Sequence, residues 1–256
     1  MCSTDQMESG RAAFKQHYDI EATCYDSHRY ACLCKRMISE LQQEFVAHAL
    51  RGAERVLDAG CGTGRFTLPL AQQGMHVVAL DASQHMLDVA CRKAQEAGVA
   101  HRIEFVVGDV ENLEYEDGTF DGALSIAVLR HFASPAQGIA ELARVVRPGG
   151  RLVVDYLNRH VFRFYEPLRG LFVQDPNVPG QHFFRNYYST CGEIRTLMAR
   201  NGVQLVQRQG LSKFPSHFLL CQLRLRCLAG LLRSLERNIN FGAVVMVGGT
   251  KLSDDV

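Results

Sequence analysis

Apolar residues recur every fourth position early in the chain, at Met37, Leu41, Phe45 and Ala49, with no glycine or proline between Arg11 and Leu50. One face of a helix needs that spacing, so the pattern predicts helix from about Arg11 to Ala49. "RGAE" (Arg51 to Glu54) closes it. Beyond it, short apolar runs alternate with amphipathic stretches. "RVLDAG", "HVVALD", "IEFVVGD", "FDGALSIAVL" and "RLVVDYL" read as five strands. "RFTLPLAQQG" reads as a helix with Pro69 in its first turn and Gly74 at its end. "SQHMLDVACRKAQEAG" is a helix capped by Ser83 and stopped by Gly98. "PAQGIAELARVV" is a helix ended by Arg147, Pro148 and Gly149.

The rhythm changes after Tyr156. "NRHVFRFYEPLRGLFVQDPNVPGQHFFRNYY" mixes aromatics, arginines and turn formers and predicts an insertion over one end of the sheet. A helix ("TCGEIRTLMARNG"), a strand ("VQLVQRQ"), a long helix interrupted by Gly230 ("FLLCQLRLRCLAGLLRSLERN") and a last strand ("FGAVVMVGG") follow. Strands alternating with helices imply an α/β fold with a mainly parallel sheet covered on both faces.

Composition narrows this picture. A chain of 256 residues suits one large domain with a sizeable core. A net charge of +1 provides no global attraction for nucleic acid or anionic membrane. The start, "MCSTDQMESGRAAF", lacks the basic and apolar regions of a signal peptide, and no stretch nears the roughly 18 apolar residues that span a bilayer. Nine scattered cysteines without a CxxC read as reduced thiols of a cytoplasmic protein. Cys32 and Cys34 form a lone CxC that reads as packing, so no metal site is expected.

"VLDAGCGTGRFTL" (Val56 to Leu68) carries the candidate chemistry. A loop after the first strand of a parallel sheet lies where ligands bind. A P-loop would need GxxxxGK[ST], and no lysine follows Gly64; a dinucleotide loop would need GxGxxG, and here the spacing is GxGxG. Asp58, just before the loop, would repel a pyrophosphate but suit a ligand with a cationic amine, or order the loop amides. S-adenosylmethionine has such an amine, a positive sulfonium and no phosphate.

The stretch resembles motif I of the class I S-adenosylmethionine-dependent methyltransferases, and the resemblance continues in order from about Arg55 to Val154 through "HVVALDAS", "QHMLDVA", "VVGDVENL", "FDGALSIAVLRHF" and "ARVVRPGGRLVV". It implies a seven-stranded, mostly parallel Rossmann-like sheet with helices on both faces, a helical N-terminal cap and a lid inserted after strand 5. The single domain would comprise a cap (1–50), a cofactor-binding core (51–156), the lid (157–190) and C-terminal helices with the last two strands (191–256). It further implies that Asp58, Ala59, Gly60, Gly62 and Gly64 hold the methionine end of the cofactor. Asp81 and Ala82 would hold the ribose, Asp81 accepting both hydroxyls. Met86, Asp109 and Val110 would meet the adenine, and Ser125 and Ile126 would line the site from the fourth strand. The N-terminal "HYDIEATCYDSHRY" resembles the opening of ubiquinone/menaquinone-type methyltransferases, which implies cofactor contacts from Tyr18, Tyr25 and Arg29; the bland alternative is a helix whose tyrosines pack on the core.

Methyl transfer from a sulfonium is an in-line displacement with a neutral leaving group, so positioning is the main requirement. The product would be S-adenosylhomocysteine (SAH). A base is needed only for a protonated acceptor, and His131 at the end of the fourth strand is the candidate; a packing histidine is the alternative. His131, Tyr156, Asn158 and His160 would line the acceptor pocket. "SIAVLRHF" stands where a DNA amino-methyltransferase would carry an NPPY-type tetrad, and neither a Pro-Cys nucleophile nor paired metal-binding acids occur. The aromatic insertion favours a small organic acceptor, apolar or lipid-like. Two alternatives stay open: a tRNA-type RNA methyltransferase using the same aromatics for stacking, and a non-catalytic cofactor-binding scaffold. The helix around Phe218 to Arg237, with four arginines and one glutamate, would permit peripheral membrane contact or form a pocket wall.

Overall fold

A computed structural model describes residues 16–20, 22–29, 33–132, 134–165, 187–211 and 244–253. Most of the expected lid (166–186) and the long helix near 218–237 lie outside the described residues. Among the described residues, eight strands form one sheet: β1 Arg55–Ala59, β2 His76–Asp81, β3 Ile103–Val107, β4 Phe120–Ser125, β5 Val146–Asn158, β6 Tyr188–Ser189, β7 Val203–Leu211 and β8 Val244–Lys251. Their order is β3-β2-β1-β4-β5-β8-β7, with β6 beside β5. Pairing is parallel from β3 through β5, and β8 runs antiparallel to β5 and β7. The expected count of seven omits β6, which pairs through only two residue pairs, Leu157–Tyr188 and Asn158–Ser189, too few to make a periodic signal.

The helices among the described residues include α1 Tyr25–Arg29, α2 Leu33–Ala49, α3 Thr67–Gln72, α4 Gln84–Glu96, α5 Ala136–Val145, α6 Arg159–Tyr165 and α7 Cys191–Arg200. Side chains alternate between two cores. Leu57, Val154, Ile139 and Leu142 pack on one sheet face, and Val56, Val153, Leu41 and Leu70 on the other. Both faces are therefore covered, as near-continuous apolar strands require. Ser83 caps α4, accepting from Met86 N at 3.2 Å, and Thr190 with Glu193 forms a capping box on α7.

Three local expectations differ from the structure. The continuous N-terminal helix is broken: residues 16–20 are helical, 22–24 turn, and α1 and α2 follow. Ala22 is buried at this turn and Ser27 Oγ donates to Cys24 O at 2.6 Å, so local and tertiary contacts override a pattern with no breaker residue. The fourth strand stops at Ser125 rather than running to Leu129, because Ala127 takes a left-handed φ of 67°. The fifth begins at Val146, ahead of "RPGG": its register with β4 jumps from Phe120–Val146 to Gly122–Arg151, and the turn at Gly149 is absorbed as an irregularity.

Candidate active site

The loop after β1 is folded by its own backbone. Gly60 N and Cys61 N both donate to Leu80 O, at 2.7 and 3.0 Å, and Gly64 N donates to Cys61 O at 3.1 Å. Gly60, Gly62 and Gly64 have φ of 82°, 55° and 80°, a region that side-chain-bearing residues rarely adopt. A Cβ at Gly60 would lie 2.2 Å from Val128 Cγ2, so the loop after β4 is laid directly on it. The Gly62 amide donates to Asp81 Oδ2 at 2.8 Å, and Ser83 N donates to Asp81 Oδ1 at 2.9 Å. A loop amide that could face a phosphate is thus matched to a carboxylate inside the protein.

Asp58 is buried at the end of β1, where Thr67 Oγ1 donates to its Oδ2 at 2.6 Å. Burial, partly offset by Thr67, and then the Asp81 charge push its carboxyl up to about 7. Burial likewise raises Asp81, against the amides of Ser83, Gly62 and Ala82. Two carboxyls whose ionised forms are penalised by burial would be relieved by a bound cation. This donor set fits an amine- and sulfonium-bearing ligand. Cys61 is buried with Ala79 and Leu87, and burial, then Asp58 and Asp81, push its thiol up, as expected of a packing residue.

The remaining residues expected at the cofactor lie along the carboxyl ends of β1 to β4. Ala82 is exposed in the bend after β2, and Met86 is buried under the start of α4. Asp109 Oδ1 accepts from Glu111 N at 2.9 Å in a tight turn, and Val110 is buried in the core beside α5. Ser125 Oγ donates to Ala59 O at 2.9 Å and ties β4 to β1, with Ile126 buried next to it.

The N-terminal segment folds over this loop. Tyr18 makes edge contacts with Tyr25, at 5.9 Å between centroids, and with His131, at 6.4 Å. The Arg29 side chain lies outside the described residues. The aspartates beside the two tyrosines act as fasteners, and pattern reading missed them. Asp26 accepts from Thr63 Oγ1 and Lys93 Nζ, each at 2.7 Å; Lys93 Nζ also donates to Thr63 O at 2.8 Å. Asp19 accepts from Ser83 Oγ and faces His85 Nδ1 at 3.3 Å. The repeated Tyr-Asp pair, Tyr18-Asp19 and Tyr25-Asp26, is the signal that could have found them.

On the β4–β5 side, Ala127 N donates to Asp155 Oδ1 at 2.7 Å, and Arg130 Nη2 pairs with Asp155 Oδ2. His131 ends the short 3-10 turn Leu129–His131. Burial, then the neighbouring Arg130, lowers its imidazole to about 3, against a hydrogen bond with the Ala127 backbone. It is therefore neutral near pH 7 but a weak base. Asn158 is buried and accepts from His160 N at 3.1 Å, while the His160 side chain is exposed on α6. Tyr156 packs in the core with Ile194 and Met198; burial, then Cys191, pushes its phenol upward. The structure brings Asn158 and His160 together and turns Tyr156 toward α7.

The methyltransferase domain family matches residues 57–154. A demethylmenaquinone methyltransferase from Clavibacter sepedonicus is 44% identical over 101 residues, 40% of this chain and 40% of that protein. A ubiquinone biosynthesis O-methyltransferase from Maricaulis maris is 32% identical over 163 residues, 63% of each. The chain thus spans less than two thirds of the length of these curated relatives. Magnesium protoporphyrin IX methyltransferase from Synechocystis, solved with bound SAH, superposes with a TM-score of 0.64 over 94% of this chain and 99% of that one; at 21% identity this is a likeness of fold. Residues 57–154 thus match a methyltransferase domain in sequence, and the fold around them is similar to that of solved methyltransferases.

Proposed function

We propose that the chain is an S-adenosylmethionine-dependent methyltransferase for a small, apolar organic acceptor of the kind its quinone-pathway relatives are named for. The observation that carries this reading is the acid pair of buried Asp58 and partly buried Asp81, set against a GxGxG loop whose Gly62 amide is already taken by Asp81. That arrangement suits a cation and disfavours a phosphate. The cofactor would supply a methyl carbon whose bond to a positive sulfur is replaced by a bond to the acceptor, the sulfur leaving as a neutral thioether. Asp58 and the glycine loop would hold the methionine end, Asp81 the ribose, and Met86, Asp109 and Val110 the adenine. Tyr18 and Tyr25 would cover the site and exclude water. His131, neutral and weakly basic, would accept a hydrogen bond and orient the acceptor rather than drive proton removal. The relatives favour this reading over the RNA and scaffold alternatives. Among the described residues, the free thiols of Cys61, Cys91 and Cys191 support a reducing, cytoplasmic setting. Among the described residues, no helix is long and apolar enough to cross a membrane.

Calorimetry on the intact chain tests the cofactor assignment: SAH binds, and Asp81→Ala weakens it by about 100-fold, as expected for two lost charge-assisted hydrogen bonds. No binding by the intact chain overturns the reading. Incubation of a cell extract with methyl-labelled S-adenosylmethionine, followed by mass analysis of labelled small molecules, identifies the acceptor.

A further inference from the structure

We propose that Asp155 is a positioning residue for the transfer reaction, holding the strained turn after β4 through the Ala127 N–H and the Arg130 guanidinium. This rests on the methyltransferase reading above. Ala127, at φ 67°, is the one non-glycine residue with positive φ among those described, and it lies at the carboxyl end of β4. Such a conformation persists only where surrounding contacts over-determine it. Here its N–H is held at 2.7 Å by Asp155, whose side chain is 0% exposed. The other oxygen of the same carboxylate takes Arg130, whose side chain is 10% exposed. The neighbouring residues of the turn face the site: Val128 lies on Gly60, and His131 meets Tyr18 of the cap. Arg130 O also accepts from Tyr187 N at 2.6 Å, where the chain returns from the insertion. One buried carboxylate therefore fixes the turn that joins the glycine loop, the cap and the insertion's return. Its hydrogen bonds go to Ala127 and Arg130, neither of them assigned to the cofactor, so its effect falls on acceptor geometry. A small displacement there is costly, because in-line transfer needs aligned reacting atoms.

The test uses the full chain with Asp155→Asn, Arg130→Gln and the charge-neutral double variant. SAH affinity by calorimetry stays within about threefold of wild type, because the cofactor contacts are untouched. Amide exchange of Ala127, read by NMR, accelerates at least about tenfold in Asp155→Asn as its hydrogen bond weakens. The rate of label transfer from methyl-labelled S-adenosylmethionine into cell-extract small molecules falls by about 30-fold in Asp155→Asn. The double variant is no slower than Asp155→Asn, because residues acting as a unit are not additive. Adding Ala127→Gly to Asp155→Asn restores part of the rate, since glycine adopts this φ without strain. If Asp155→Asn does not fold, the charge-neutral double variant carries the same three readouts. An unchanged transfer rate in a wild-type-active assay overturns the positioning role alone, as does a fall in SAH affinity equal to the fall in rate. A wild-type chain that binds SAH but labels nothing overturns the function reading and this role with it.

Discussion

The two halves of the sheet's carboxyl end are built differently. On the β1–β2–β3 side the key acids meet partners that are close in sequence or sit on adjacent loops: Asp58 with Thr67, Asp81 with Gly62 and Ser83, Asp109 with Glu111. On the β4–β5 side the turn at Ala127 depends on Asp155, and through Arg130 on Tyr187, near the end of the insertion. The first half is a set of short turns closed by local hydrogen bonds, and the proposed cofactor residues lie on it. The second is held by side-chain contacts between residues distant in sequence. The difference teaches that cofactor affinity and transfer rate should respond to separate sets of residues.

The largest effect that would sharpen this division is the loss of SAH affinity, about 100-fold, in Asp81→Ala, set against near-wild-type SAH affinity in Asp155→Asn. Equal losses of affinity in both variants would break it. Next is Gly60→Ala, where the turn after β4 lies on the glycine loop. The added Cβ would lie 2.2 Å from Val128, at a φ of 82°, and is expected to destabilise the fold by about 2–3 kcal/mol and to lower SAH affinity and transfer together. Thermal melting with calorimetry checks this; an unchanged melting temperature would separate the halves entirely.

A pH-dependent difference comes third. The folded state holds the Asp58 proton up to about 7, against 3.8 for the ordinary group, so it binds more protons than the unfolded chain in that window. Stability therefore falls as pH rises from about 4 to about 7, while a charge suited to a cationic ligand appears. Asp58→Asn should flatten the urea midpoint between pH 5 and pH 8 and remove the rise of SAH affinity with pH. Parallel slopes for wild type and variant would remove Asp58 from the cofactor half.

The smallest effect belongs to His131→Gln. The imidazole is lowered from 6.5 to about 3, so its stabilising contribution is present above about 6.5 and is lost as pH falls toward about 3. The variant should resist acid unfolding better, keep its SAH affinity and lose less than about tenfold in transfer rate. A loss of about 10²-fold or more, with the rate following a single protonation, would make His131 the general base instead.

Much of the cofactor half was legible in the sequence because its constraints are local. Three glycines at alternate positions after an apolar run specify a backbone with positive φ, and an acid at the end of each of the first two strands lies at the binding end of a parallel sheet. The acceptor half was less legible. Arg130 stands in "VLRHF" with nothing nearby to mark it as a partner of Asp155, which is distant in sequence. Tyr156 follows Asp155 directly, yet strand alternation sends the two to opposite faces, so one holds the turn and the other packs against α7. The break in the N-terminal helix was illegible for the same reason: its partners Ser83 and Thr63 lie on other loops and Lys93 on α4.

By itself the sequence determined the alternation of strands and helices, the covered parallel sheet and the position of the GxGxG loop with its preceding acid, since apolar periodicity and backbone φ requirements act within a few residues. Only the tertiary structure decided that Asp58 is buried and proton-hungry, that His131 is neutral and weakly basic, and that a left-handed alanine is pinned by a buried ion pair. Desolvation and long-range charge pairing depend on what surrounds a side chain in space, which sequence proximity does not set.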